Sequence, residues 1–523
     1  MSIYEGVRAN RPGRSAFNLS HEVKTTCDLG QLVPFLCEEV VPGDIFKIGV
    51  EAVLRFMPLV APVLHEINIF MHYLFVPTRL MFPEPNGWES FITGGVAGTD
   101  ATALPRWIPT GGNVTNANGS VVADNGLGSL WDYFGFPPVI PAGVYPLSFT
   151  RRGYNLIYNT FYKDETQIAD VAIDSSIVLQ RAWEKDYFTS ALPWQQRGTA
   201  PGLPISGSTA AVWAAAQFSN PEQAQKLSVS ASAGVPTIYA TAGNSQANAM
   251  AAWNTNTVSL SPATTFNVSD LRLAFQIQKW QERNARGGAR YIEFLKNHFS
   301  VAPRDERLQR PEYIGGTKFP IIVSEVLQTN ASPKDGAQSW TSPQGTMAGH
   351  GISAGRDFVA SYHAKEYGYI FGIMSVMPRT AYSQGIDRQF LRTTRYDYYH
   401  PEFAHLSEQA VYDGELLATA NGGTAAGQNL HVWGYQGRYN EMRARMSRTT
   451  GLMRPGVAGS LSFWHLSRVL GAGQQLNQSM IECIPRKDWL AVPSQPACLI
   501  NIANIVKAIR PMPVEADPGL IDH

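Results

Sequence analysis

The stretch Ile45–Met57, IFKIGVEAVLRFM, decides the fold class. Phe46, Ile48, Val50, Ala52, Leu54 and Phe56 take alternate positions, with Lys47, Glu51 and Arg55 between them. Successive side chains on a strand point to opposite faces, so this spacing predicts a strand with one face in a core and one in water. The next segment, HEINIFMHYLFVP from His65 to Pro77, has the same period. Ile67, Ile69, Met71, Tyr73 and Phe75 form one row, while Glu66, Asn68, Phe70, His72 and Leu74 form a mixed second row. That strand is expected to be covered on both sides. A proline-rich turn between the two strands fits antiparallel neighbours.

Strand character returns in the far half of the chain. KFPIIVSEVLQT, RDFVASYHA and the β-branched run CLINIANIVKAIRPMP all read as strands, and GYIFGIMSVM is apolar enough to be buried on both faces. SFWHLSRVL is ambiguous. Between the ends lies a block of helices and loops. Residues 77–146 are long, irregular and rich in Gly, Pro and Asn, which compact domains rarely contain without a functional reason. Tyr154, Ile157, Tyr158 and Phe161 have helical spacing. A second helix is predicted from an N-cap at Ser269 to the break at Gly287 and Gly288. A third segment puts Tyr291, Phe294, Leu295 and His298 on one face, where His298 reads as an edge or core histidine. No repeat is visible. Strands at both ends must close one sheet system, which predicts a single β-domain with large insertions.

The chain has 523 residues, 44% hydrophobic and 16% charged, against a charged share of roughly 25% in typical soluble domains. Its surface is therefore poor in charge, as suits a protein that buries surface against its own copies, although a large core alone explains much of the composition. The formal net charge is zero, which excludes coating of nucleic acid by bulk charge and leaves local clusters. Cys27, Cys37, Cys483 and Cys498 form neither a C-x-x-C pair nor a disulfide framework, so a reducing compartment is expected. No apolar signal region opens the sequence and no apolar run spans a bilayer; a soluble, non-secreted protein is expected.

One catalytic pattern matches. GISAG, Gly351–Gly355, fits the G-x-S-x-G nucleophile elbow, but that motif needs a strand before Ser353 and a helix after it. A loop-like TSPQGTMAGH precedes and a strand-like RDFVASY follows, so a catalytic Ser353 is not expected. The histidines are scattered, with no zinc-binding spacing and no phosphate loop; no catalytic residue, metal or cofactor is assigned.

Two arginine clusters remain. Arg8, Arg11 and Arg14 lie in an aperiodic arm, residues 1–20. Arg438, Arg443, Arg445, Arg448 and Arg454 face a single acid, Glu441, with Tyr435 and Tyr439 beside them. Arginine interleaved with aromatics holds phosphates and stacks on unpaired bases, so Arg8, Arg11, Arg14, Arg438, Arg443, Arg445 and Arg448 are candidate nucleic-acid contacts. A solvated or subunit-bridging face is the alternative. A different composition marks residues 198–269, where Glu222 and Lys226 are the only charges.

Long segments resemble the major capsid protein of microviruses, and specifically of gokushoviruses. They include FNLSHEVKTTCDLGQLVPFLCEEVVPGDIFKI, MHYLFVPTRL, KDYFTSALPWQQRG, RDERLQRPEYIGGTKFPIIVSEVLQT, GYIFGIMSVMPRTAYSQGIDRQF, RYDYYHPEFAHLSEQAVY, WGYQGRYNEMRARMSRTTG, LSFWHLSR and the closing IRPMP…PGLIDH. Two local departures are Glu366-Tyr367-Gly368, where the family often has Glu-His-Gly, and the acidic PVEADPGL near the end.

The resemblance implies a mainly β protein, an eight-stranded antiparallel viral jelly roll with long inter-strand insertions containing helices and loops. It implies a T=1 icosahedral shell around the circular single-stranded DNA of a small bacteriophage, assembled in the host cytoplasm and found in the virion. The implied partners are further copies of the chain, the single-stranded DNA genome, a small basic DNA-binding packaging protein, a DNA pilot protein and a host cell-surface receptor, with no membrane. On this reading residues 1–20 are the basic arm, 21–197 the first part of the jelly roll, 198–269 a surface insertion forming threefold protrusions, and 270–523 a helical segment with the remaining strands. Trp213, Phe218, Tyr239 and Trp253 are its candidate protrusion residues, with a role in host attachment. The alternatives are an all-β carbohydrate-binding protein or glycoside hydrolase, and a scaffold that binds single-stranded DNA without a shell.

Overall fold

The structure is a computed structural model. It describes residues 13–83, 85, 87–93, 103–138, 144–199, 227–232, 235–240, 268–287, 296, 304–305, 309–327, 347–418, 431–471 and 473–514. The strands in chain order are β1 (Ser15–Asn18), β2 (His21–Cys27), β3 (Val33–Val40), β4 (Ile45–Phe56), β5 (Ile67–Pro77), β6 (Asn113–Thr115), β7 (Val121–Ala123), β8 (Leu227–Ser232), β9 (Val235–Ala240), β10 (Glu312–Leu327), β11 (Met347–His363), β12 (Gly368–Pro378), β13 (Glu408–Tyr412), β14 (Val432–Gly437) and β15 (Cys498–Arg510).

Two antiparallel sheets carry the fold. In the first, β1 and β2 both pair with β15, then come β4 and β11; in the second the order is β3, β12, β5 and β10. The long strand β10 joins them, because Glu312–Ile321 lies against β5 and Ile322–Leu327 against β11. With β1 and β2 taken as one interrupted edge strand, eight strands remain, and each step along the chain changes sheet except β5 to β10. That is a jelly roll. The last strand, β15, sits between β2 and β4, so the two halves of the chain close one sheet.

The expectation that Ile45–Phe56 and Ile67–Pro77 are antiparallel neighbours is incorrect. β4 pairs with β15 and β11, and β5 with β10 and β12. The proline-rich turn carries the chain across the core from one sheet to the other, so adjacency in sequence becomes face-to-face packing.

The core lies between the sheets. Phe46, Ile48, Val50, Ala52, Leu54 and Phe56 are all buried, while Lys47, Glu51 and Arg55 are exposed. Glu51 is directly opposite Arg356 on β11, which places opposite charges across the wet face. From the second sheet Ile67, Ile69, Met71, Tyr73 and Phe75 enter the same core, and the Phe75 ring meets Tyr362 of β11 at 5.1 Å. The other face of β5 and β12, with Leu74, Val76, Phe371 and Ile373, is covered by a second cluster including Trp107, Trp131, Phe149, Tyr154, Ile157 and Tyr158. These two strands are apolar on both faces because both faces are covered.

The described parts of 77–146 are therefore a packed layer. Trp107 and Trp131 meet edge to face at 5.0 Å. The predicted helix is real over Phe149–Ile157 and continues as a wider turn through Tyr162. Gly153 lets it approach the sheet, since a Cβ there would lie 2.3 Å from the Phe371 ring. SFWHLSRVL holds only a short 3-10 turn at Ser462–Trp464.

β11 begins at Met347, earlier than the Gly-rich sequence suggests, and Ser353 lies inside it. The motif glycines are packing glycines: a Cβ on Gly351 would meet Phe56 at 2.2 Å, and one on Gly355 would meet Phe319 at 2.2 Å.

Gln196–Ala285 is a separate compact unit. Its described parts are the hairpin β8–β9 and the helix Val268–Gly287. The helix starts at Val268, so Ser269 is its second residue and not the expected N-cap, and it ends at the expected glycine. Gln281 Nε2 donates to Thr199 O at 3.1 Å and its Oε1 accepts from Gln196 Nε2 at 3.1 Å, which ties the entry of the segment to the helix.

Candidate nucleic-acid interface

A third cluster lies beside the sheets, built on the small β13–β14 hairpin. The segment DYFTSALPW organises it. Asp186 Oδ1 accepts from the backbone N–H groups of Phe188 and Thr189 at 2.9 and 2.8 Å, folding a tight turn. Leu192 exchanges two backbone hydrogen bonds with Tyr435 of β14, at 2.8 and 2.7 Å. The Tyr382 hydroxyl donates to Asp186 Oδ2 at 2.8 Å. Tyr187, Phe188, Tyr382, Val411, Leu416 and Trp433 pack together in the apolar centre.

Above it runs the loop 383–392. Gly385 is needed there, because a Cβ would sit 1.8 Å from Glu415 O. The loop is pinned at that point by Ile386 N–H donating to Gly414 O at 2.9 Å. It delivers Arg388 to Glu415, at 3.0 Å, and toward Glu441 at 3.8 Å. Tyr187 OH also donates to Glu415, at 3.0 Å. Burial holds the Glu415 carboxyl above its usual range although Arg388 pulls the other way. Burial lowers the Arg388 guanidinium, but Glu415, Tyr187 and Glu441 outweigh it and hold the group above its ordinary value. The same burial, with Glu415 beside it, raises the Tyr187 phenol.

The sequence-predicted arginines separate into different roles. Arg438 is half-buried and internal: it donates to Tyr396 O at 3.1 Å and lies over Phe403 and Tyr439 at 5.5 and 5.1 Å. Tyr439 takes a left-handed backbone, φ 64°, which aims its hydroxyl at Tyr398 O, 3.1 Å away. Arg443, Arg445 and Arg448 are exposed. Arg443 donates to Asn440 Oδ1 at 3.1 Å, and Arg445 and Arg448 both pair with Asp387. Arg14 is exposed just before β1, whose Ser15 is opposite Arg510, and lines neither cavity around the 438–454 segment. Arg8, Arg11, Trp213, Phe218, Trp253, His298 and the side chain of Tyr239 lie outside the described residues.

Residues 388–405 carry part of the family resemblance but are not among the candidate contacts, yet they share this surface. Arg392 lies over Tyr398 at 4.8 Å and Arg395 over Tyr396 at 4.8 Å. Tyr396, Tyr398 and Tyr399 are about half exposed, at 51%, 55% and 53%. The signal was present: Arg388–Tyr399, RQFLRTTRYDYY, has arginine interleaved with aromatics as the second cluster does.

A family model for the capsid protein (F protein) matches residues 6–520. The chain belongs to this family. Capsid protein VP1 of Chlamydia phage 1 is 33% identical over an alignment of 591 residues, covering 97% of this chain and 96% of the relative. Capsid protein VP1 of Bdellovibrio phage phiMH2K is 32% identical, covering 95% and 94%. Capsid protein VP1 of Spiroplasma virus 4 is 25% identical, covering 99% and 97%. The resemblance to gokushovirus capsid proteins thus holds over the whole chain.

This is a capsid protein, a structural component of a phage virion that builds a multimeric shell, and not an enzyme. Ser353 fits that identity. It is buried in mid-strand and donates to Pro320 O at 2.8 Å, and the strand continues to His363 where the motif needs a helix. Among the described residues no group of His, Cys, Asp or Glu is arranged to hold a metal, and no helix is long and apolar enough to cross a membrane. All four cysteines are free thiols.

Proposed function

We propose that this capsid protein assembles into a T=1 icosahedral shell that encloses a circular single-stranded DNA genome. The observation that carries the reading is the full-length relationship to phage capsid proteins on a jelly roll with long inter-strand segments. The charge balance supports sparse contacts with DNA: the net charge is zero, so most genome phosphates are neutralised by other species, such as a small basic packaging protein. A DNA pilot protein is a further partner. The arm with Arg8, Arg11 and Arg14 lies on the inner or inter-subunit side.

Residues 198–269 form the surface protrusion at the threefold axes and take part in host attachment through a cell-surface receptor. Lengthening a surface loop costs only about 0.6 kcal/mol per doubling, so an excursion of this size needs no change in the jelly roll. The helix that ends it supports packing between copies. Leu273 and Ile277, at i and i+4, are 59% and 37% exposed. Electron microscopy of purified particles tests the assembly: closed shells with nuclease-protected DNA are expected, and monomers or filaments refute it. Deleting residues 202–261 is expected to leave shells that form but adsorb poorly to host cells. Loss of folding on that deletion refutes the insertion reading.

A further inference from the structure

The 438–454 segment and the 382–392 loop enclose a cavity of about 400 Å³. Its ionisable lining is unbalanced. Arg388, Arg392, Arg445, Arg448 and Arg454 face Asp387, Glu415 and Glu441, five guanidiniums against three carboxylates. Arg388 occupies Glu415 and approaches Glu441, and the single carboxylate of Asp387 serves both Arg445 and Arg448. Two cationic charges are left over. The polar lining is also underused: Ser383 is 8% exposed, yet among the described residues its buried Oγ has no hydrogen-bond partner, and neither does the buried Nε of Arg392. Thr450 adds a hydroxyl, and Phe188 and Tyr382 add apolar surface.

We propose that this cavity seats one nucleotide of single-stranded DNA. The phosphate lies among Arg392, Arg448 and Arg454, which removes the excess charge and supplies an acceptor for Arg392 Nε. The hydroxyls of Ser383 and Thr450 meet sugar or base edges. The flanking nucleotides run over the exposed rings of Tyr396, Tyr398 and Tyr399, which accept any base by stacking. An acidic peptide would answer the excess charge but gives those three half-exposed rings nothing to stack on, so the nucleic acid is the better fit. This inference rests on the reading that the shell encloses single-stranded DNA.

Ultraviolet irradiation of intact purified particles, followed by nuclease and protease digestion, locates nucleotide adducts by mass spectrometry. Adducts are expected in peptides covering 388–399 and 446–454. Protected DNA with adducts only elsewhere overturns the site and leaves the DNA-filled shell standing, whereas particles without protected DNA refute that broader reading and the site with it. The second arm is the Arg392→Gln/Arg454→Gln variant, which keeps the ion pairs of Arg388 and Asp387. It is expected to assemble at normal yield, with adducts at these peptides reduced at least fivefold. Reduced yield with unchanged adducts per particle shows a contact between copies and overturns the proposal. Should the variant fail to assemble, Arg392→Lys/Arg454→Lys decides: restored assembly with restored adducts supports the site, and restored assembly without them overturns it.

Discussion

Replacing Arg388 by Met tests the reasoning behind the loop 383–392 most directly. The guanidinium sits 3.0 Å from Glu415, and the two side chains are 11% and 2% exposed. Removing one partner of a buried pair leaves the other charge uncompensated, which costs about 3–5 kcal/mol. For a chain of this length the unfolding entropy is about 1.1 kcal/mol/K, so the midpoint of thermal unfolding falls by about 3–5 °C. The direction of the pH dependence follows from Glu415. Burial already raises its carboxyl, and the loss of Arg388 removes the main opposing influence, so it rises further. A folded-state value above the unfolded one means that the folded state binds the extra proton. Its contribution to stability is complete below the unfolded value and is lost as pH rises through the folded one. The variant should therefore be closest to the parent near pH 5 and furthest from it near pH 8. Adding Glu415→Gln removes the orphaned charge; its one amide oxygen accepts from the Tyr412 N–H and its amide NH2 donates to the Tyr187 hydroxyl, so the double variant should recover most of the loss. Thermal unfolding of assembled particles at both pH values, followed by tryptophan fluorescence, reads all three. An equal deficit at pH 5 and pH 8, or a double variant no better than the single one, refutes the account.

Gly355→Ala forces a Cβ to within 2.2 Å of the Phe319 ring and should cost about 1–3 kcal/mol by overpacking, seen as a lower unfolding midpoint of the same particles; an unchanged midpoint would show that the ring has room to move. His72 is hydrogen-bonded to Tyr162 at 2.7 Å and lowered to about 4 by burial, with Arg181 adding to the effect. Its folded value lies below the unfolded one, so it contributes stability above about pH 6.5 that is lost as pH falls toward 4; His72→Gln should flatten the acid limb of particle stability, and an unaltered limb counts against this. Replacing Arg8, Arg11 and Arg14 together by Ala should lower packaged DNA or particle yield, measured by absorbance ratio and electron microscopy. Unchanged yield and unchanged salt sensitivity would remove the arm from the DNA contacts.

What was legible in the sequence followed the kind of interaction that made it. The row Phe46 to Phe56 could be read because one face of a strand meets a core and the other meets water, and the period of two is written in the residues themselves. The partners of that strand could not. β4 lies between β15 and β11, both from the far half of the chain, and nothing local in Ile45–Phe56 records them. The proline-rich turn after it looks the same whether the chain folds back along one sheet or crosses to the other.

The candidate site shows the same division more sharply. Arginine with aromatics marks both 438–454 and 388–399, but composition treats all guanidiniums alike. The geometry does not: Arg438 is spent on Tyr396 O and two rings, Arg388 on Glu415, and Arg445 and Arg448 on one shared carboxylate. What distinguishes a structural arginine from one free to meet a phosphate is the count of carboxylates and carbonyls brought to it by distant segments. Gly385 illustrates the dependence. Its lack of a side chain lets the loop reach Glu415 O, and that approach seats Arg388 against Glu415, which leaves Asp387 alone to serve Arg445 and Arg448. The charge excess in the cavity is thus a consequence of backbone packing more than of arginine content. For that reason a zero net charge over the whole chain is compatible with a locally cationic surface.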